Sequence, residues 1–143
     1  MVLLLQSYFL MASLLLATDP LEVSITNITE VKGCVRIAVF KNAADFEEEK
    51  NAVYDEVISL TSTAPIYRQL PLSGRASYGI ALYHDVNNNG KLDRNTLGVP
   101  KEPYAFSNNP SAKWQAPTFS EIAFVPAEVS GRLSLKLMAW GER

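Results

Sequence analysis

Oxygen-bearing side chains recur along one polar stretch of this chain, at Asp85, Asn87, Asn89 and Asp93, with Gly90 inside the run. Alternate residues aiming oxygens at one centre, with a glycine for the sharp turn, follow the logic of a calcium loop. With Asp85 in first place, the carbonyl of Lys91 is the next donor and the Asp93 carboxylate follows it. Thr96 stands where a helix-loop-helix site has a bidentate Glu, so Glu102, or Asn95, must complete the shell. All of these are hard oxygen donors, suited to Ca2+ rather than to zinc or copper. So few carboxylates predict weak binding, about 10⁻⁴ to 10⁻³ M. The same residues also suit a metal-free turn, because Asn and Gly accept positive φ and Asp side chains cap nearby amides.

Three other chemistries are open to the residues around this stretch. His84, the only histidine, lies next to Asp85 and is a candidate general base of a hydrolase, paired with Asp85 or Glu102. Asp93 and Glu102 are a conceivable glycosidase pair, although nothing in the sequence sets their separation. Trp114, Tyr104 and Phe106 can stack on a sugar, which makes a carbohydrate- or envelope-binding surface the third reading; the plainer role is packing the loop onto the fold. The single cysteine, Cys34, opens an apolar run and reads as a small buried hydrophobe rather than a nucleophile. A net charge of −2 over 143 residues, with no Lys/Arg cluster, excludes the electrostatic footprint of a nucleic-acid binder and a polybasic membrane patch.

The elements that must position these groups read as strands. Leu21–Ile28 alternates apolar and polar residues, and Cys34–Phe40 follows after a short turn, which predicts an antiparallel hairpin. Lys41 to Asn51, with Asp45 and Glu47 to Glu49, suits one or two helical turns with a solvated acidic face. Ala52–Leu60 returns to strand, with Val53, Val57 and Ile58 as core candidates, and Ile66–Leu70 is a short strand ended by Pro71. In Ala76–His84, Tyr78, Ile80 and Leu82 share one face and Gly79, Ala81 and Tyr83 the other; small residues opposite large ones suggest a central strand whose second face is closely covered. That strand delivers Asp85 into the polar stretch. No strand pattern follows until Thr118, so a loop of roughly 34 residues is expected; its many apolar groups predict that it is ordered. Phe119–Val125 and Gly131–Trp140 complete about seven strands, which favours an all-β, antiparallel β-sandwich.

Met1 to Ala17 carries no charged residue and ends in an apolar run of about 9 residues, the size of a signal-peptide core and short for a spanning helix. The expected organisation is therefore a signal peptide over residues 1–17 and one β-sandwich domain over 18–143, secreted or periplasmic and free of the membrane once cleaved. Asn27-Ile28-Thr29 is a glycosylation acceptor, of consequence only in a eukaryotic secretory pathway.

The run His84-Asp85-x-Asn87-x-Asn89-Gly90-Lys91-Leu92-Asp93-x-Asn95, followed by Gly98-x-Pro100-x-Glu102 and Phe106-Ser107-Asn108-Asn109, resembles the exported bacterial domain-of-unknown-function family 2141. The likeness extends over nearly all of the mature chain, including Leu70-Pro71, the Gly74 to Tyr78 approach and Pro117-x-Phe119. The chain departs from that pattern in the longer spacing between Pro71 and Tyr78. The resemblance implies an immunoglobulin-like or transthyretin-like sandwich outside the cytoplasm. It implies no activity, so the ligand is an unidentified extracytoplasmic molecule or protein.

Overall fold

The computed structural model describes residues 19–111 and 115–142. In chain order these form β1 (Leu21–Thr26), β2 (Cys34–Phe40), α1 (Ala43–Glu47), β3 (Tyr54–Ser59), β4 (Ile66–Leu70), β5 (Gly79–Asp85), β6 (Tyr104–Phe106), α2 (Phe119–Ile122), a 3₁₀ turn (Pro126–Glu128) and β7 (Arg132–Lys136). Two sheets face each other, ordered β4-β1-β7 and β3-β2-β5-β6. All pairs are antiparallel except β1 with β7, which run parallel. Alternation explains the layering: Leu21, Val23 and Ile25 of β1 and Val35, Ile37 and Val39 of β2 are buried in one shared core with Ile80, Leu82 and Leu135. The fold is an all-β sandwich.

Several sequence expectations are corrected. β1 and β2 are not a hairpin, because they belong to different sheets. β2 takes a central place between β3 and β5, with Val35, Ile37 and Val39 buried on one face and Arg36 and Ala38 half-buried on the other, while Asn27 and Gly33, both at positive φ, turn the chain across from one sheet to the other. A side chain at Gly33 would put its Cβ 2.0 Å from the Asp85 carbonyl oxygen, so only glycine fits this crossing. Val53 and Val57 are not core residues. They are 48% and 52% exposed, and of the three valine and isoleucine candidates only Ile58 is buried, since β3 is an edge strand with one face toward solvent.

Phe119–Val125 is not a strand. Thr118 and Glu121 form a capping box, with the Thr118 N–H donating to Glu121 Oε2 at 2.8 Å, and this starts the short helix α2. Only Phe124 pairs in extended form, as an isolated bridge to Tyr78. Ile122 of α2 lies over Gly79, where an added Cβ would come within 2.7 Å of Ile122 Cδ1. The close cover expected over β5 is thus a helix, which needs the glycine beneath it. The strand count is kept by β6, three residues inside the long loop, too short to show a period in sequence.

The two long sides of the sandwich close differently. On one side the Tyr104–Met138 bridge links β6 to the chain just after β7. On the other, β3 and β4 share no backbone pairing, and the Glu56–Arg68 ion pair spans the seam at 2.9 Å.

Candidate functional site

β5 carries Asp85 to the end of the sheet and into a turn that it organises. Successive strand residues leave opposite faces, so His84 points to one side and Asp85 to the other. Opposite Asp85 on β2 stands Cys34, and diagonal to it Arg36. Arg36 Nε donates to Asp85 Oδ2 at 2.7 Å, and the Gly90 N–H donates to the same oxygen at 2.9 Å. The Asn89 N–H donates to Oδ1 at 3.0 Å. Asp85 is fully buried, so this ring of donors is what permits a charge there. Burial opposes ionisation, but Arg36 and the Gly90 and Asn89 amides outweigh it and hold the carboxyl below the usual carboxylate range.

The next tier closes on Asp93. Asn87 Nδ2 donates to Asp93 Oδ2 at 2.6 Å and Asn89 Nδ2 to Asp93 Oδ1 at 2.9 Å. These two amides keep Asp93 below its ordinary value, with Lys91 and Lys101 adding to the effect. The Asn side chains also bond backward and forward: the Asn89 N–H reaches Asn87 Oδ1 at 3.2 Å, and the Lys91 N–H reaches Asn89 Oδ1 at 3.0 Å. Asn88 sits at φ 55°, a conformation that Asn tolerates better than most residues.

Glu102 fastens both ends of this turn. Its Oε1 accepts from the Val86 N–H at 2.9 Å and its Oε2 from the Asp93 N–H at 3.0 Å. Lys101 N–H then bonds the Asp93 carbonyl at 2.8 Å, and the following turn is tied through Asn95, whose Oδ1 accepts from both Leu97 and Val99. Asp85, Asn87, Asn89, Asp93 and Glu102 are therefore one connected network. Lys91 enters it through its N–H. Among the described residues no three His, Cys, Asp or Glu side chains gather around one point.

The other candidates fall elsewhere. His84 is buried, its Nε2 donates to the Lys32 carbonyl at 2.6 Å, and its own N–H donates to the Pro103 carbonyl. It faces away from Asp85, so the two do not form a catalytic dyad. Glu102 turns both oxygens to backbone amides, which is the posture of a staple rather than of a proton donor to a sugar. Tyr104 is buried and Phe106 half-buried, the two rings meeting edge to face at 5.8 Å, with Phe46 of α1 on the other side of Phe106 at 6.1 Å. Trp114 lies outside the described residues. A groove lined by Leu92, Val99, Pro100, Tyr104, Pro117 and Trp140 runs beside the loop, with a cavity of about 90 Å³. That is well under the about 300–1,000 Å³ of pockets that bury small organic ligands. Cys34 is buried with its Sγ 3.9 Å from Asp85 Oδ2, and burial raises its thiol above the usual value, as suits an inert side chain.

Sequence reasoning missed Arg36, the residue that makes a buried Asp85 affordable. The signal was present: a lone arginine inside Cys34–Phe40 needs a buried partner or an exposed face, and Arg36 has one of each. Lys32 and Gly33 were also missed as supports. They lie in the β1–β2 turn, and only the fold brings that turn under β5.

No curated protein and no solved structure matches the chain. Residues 23–131 match the model of a family described as uncharacterized protein conserved in bacteria, a span that runs from within β1 through the loop network to the last turn before β7. The chain thus belongs to the bacterial family DUF2141.

Proposed function

We propose that the protein is an extracytoplasmic, non-catalytic binding module that takes a calcium ion weakly at the turn of residues 85–93. The observation that carries this reading is the convergence of Asn87 and Asn89 on the Asp93 carboxylate, at 2.6 and 2.9 Å. A half-turn of either amide about its last bond replaces Nδ2 by Oδ1 in the same place, converting a donor into a hard oxygen ligand in exchange for the bond its oxygen now accepts from the Asn89 or Lys91 N–H. Asp93 and the two amides then supply oxygens on one side of a cation, with the Lys91 carbonyl available from the same turn. Asp85 acts from behind, holding the turn in shape while Arg36 offsets its charge, and Glu102 keeps the two ends of the loop at fixed separation. The extracytoplasmic placement rests on the uncharged apolar stretch Met1 to Ala17.

The test is a calorimetric melt of the full chain in chelator, in millimolar calcium and in millimolar magnesium. At calcium ten times Kd, mass action stabilises by about 1.4 kcal/mol, a rise in Tm of roughly 5 °C. The rise is specific to calcium and absent in Asp93→Asn. Identical melts in all three solutions, or a rise that Asp93→Asn retains, would overturn the calcium assignment.

A further inference from the structure

Of the strand edges in this sandwich, that of β3 presents the longest run of backbone groups without a protein partner among the described residues. The outer edge of β7 is met by Asn109, whose Nδ2 donates to the Ser134 carbonyl at 3.1 Å and whose Oδ1 accepts from the Lys136 N–H. β6 is bridged through Tyr104 to Met138. β4 is covered in part, the outward carbonyl of Tyr67 being taken by Arg68 Nη1 at 3.0 Å. β3 differs. The Leu60 N–H bonds Gly33 across the sheet, so by alternation Tyr54, Glu56 and Ile58 direct their backbone groups to β2. Asp55, Val57 and Ser59 direct theirs outward, and among the described residues these groups meet no protein partner. Val57, at the middle of that edge, is 52% exposed, and β3 contains neither Lys nor Pro to discourage pairing.

We infer that β3 pairs antiparallel with β3 of a second copy of this chain about a two-fold axis through Val57, joining the two four-stranded sheets edge to edge. The edge is self-complementary in that register. Val57 faces Val57 of the second copy, and each Asp55 carboxylate faces a Ser59 hydroxyl, so no like charges oppose one another. The outward N–H and C=O groups of Asp55, Val57 and Ser59 are in phase to exchange both bonds at each of these pairs. On the other face Glu56 meets Ile58 of the second copy, but Glu56 is already satisfied within its own subunit by Arg68 and the Tyr54 hydroxyl. A second copy is favoured over a foreign segment because the edge complements itself in polarity and charge.

Sedimentation equilibrium of the full chain tests this, with Val57→Lys and Val57→Cys beside it. Val57→Lys brings two ammonium groups to the axis and yields monomer where the unaltered chain is a dimer. Hydrogen-bonded antiparallel partners have Cα atoms about 5.5 Å apart, within the range a disulfide spans, so Val57→Cys locks as a covalent dimer on mild oxidation. Cys34 is buried and does not compete. If Val57→Lys fails to fold, the cysteine variant decides alone. A chain that stays monomeric up to about 1 mM overturns the proposal and turns attention to a foreign strand. So does a dimer that Val57→Lys leaves whole and Val57→Cys does not cross-link.

Discussion

Two polar regions of this molecule solve the same problem in opposite ways. At the end of β5, loop residues 85–102 turn their carboxylates inward, and Asp85 and Glu102 spend both oxygens on backbone N–H groups or on Arg36. At the seam between β3 and β4, a single side-chain ion pair, Glu56–Arg68, bridges the gap and leaves the β3 backbone edge without a partner. The loop is self-contained, so its rigidity is built in and anything it binds must exchange for an existing hydrogen bond. The seam is incomplete, so it presents unspent bonding capacity. Long loops without strand pairing stay ordered when their polar groups are matched internally, and strands stay reactive when theirs are not.

The largest expected effect falls on the loop. Asp85→Ala orphans the Asn89 and Gly90 amides and leaves Arg36 unpaired, costing about 3 kcal/mol, near the low end for a buried pair because Arg36 can turn to solvent. Urea unfolding at neutral pH measures it. A cost below about 1 kcal/mol would mean the network is ornamental and the contrast with the seam false. The pH dependence follows from the lowered Asp85 value. Its contribution is complete above the unfolded carboxylate value of about 3.9 and is lost as pH falls through the lower folded one, so the variant loses less stability than the parent in acid.

Next comes the staple. Glu102→Gln keeps one acceptor but turns an NH₂ toward either the Val86 or the Asp93 amide, at a cost of about 1–2 kcal/mol. Hydrogen exchange at those two amides should accelerate more than at the core amides of β2, which sharpens the view that the loop opens as its own unit. The smallest effect belongs to the seam. Arg68→Met removes a half-exposed ion pair worth about 0.5–1 kcal/mol by thermal melting, and it uncovers the Tyr67 carbonyl. A loss as large as that of Asp85→Ala would put the seam, rather than the loop, at the centre of stability.

What was legible from residues alone were the features set by short-range physics. Alternation placed β1, β2, β5 and β7, and the spacing of Asp85, Asn87, Asn89 and Gly90 marked the polar turn, readable as a calcium loop or as a turn bonded by its own side chains. The family read in the sequence is the one whose model matches residues 23–131. The partition of strands between two sheets was not legible, because β1 and β2 have hairpin spacing and only the strand order, with β2 between β3 and β5, separates them. The helix over Phe119–Ile122 turns on a capping box whose local signal lost to an apolar run, and on Gly79 leaving room beneath it. The pairing of Arg36 with Asp85, which lie 49 positions apart, exists only because β2 and β5 are neighbours in one register. Sequence settled which residues want polar partners, through their types and spacing; tertiary structure chose the partners, because a buried charge is satisfied by whatever donor the strand order brings within reach.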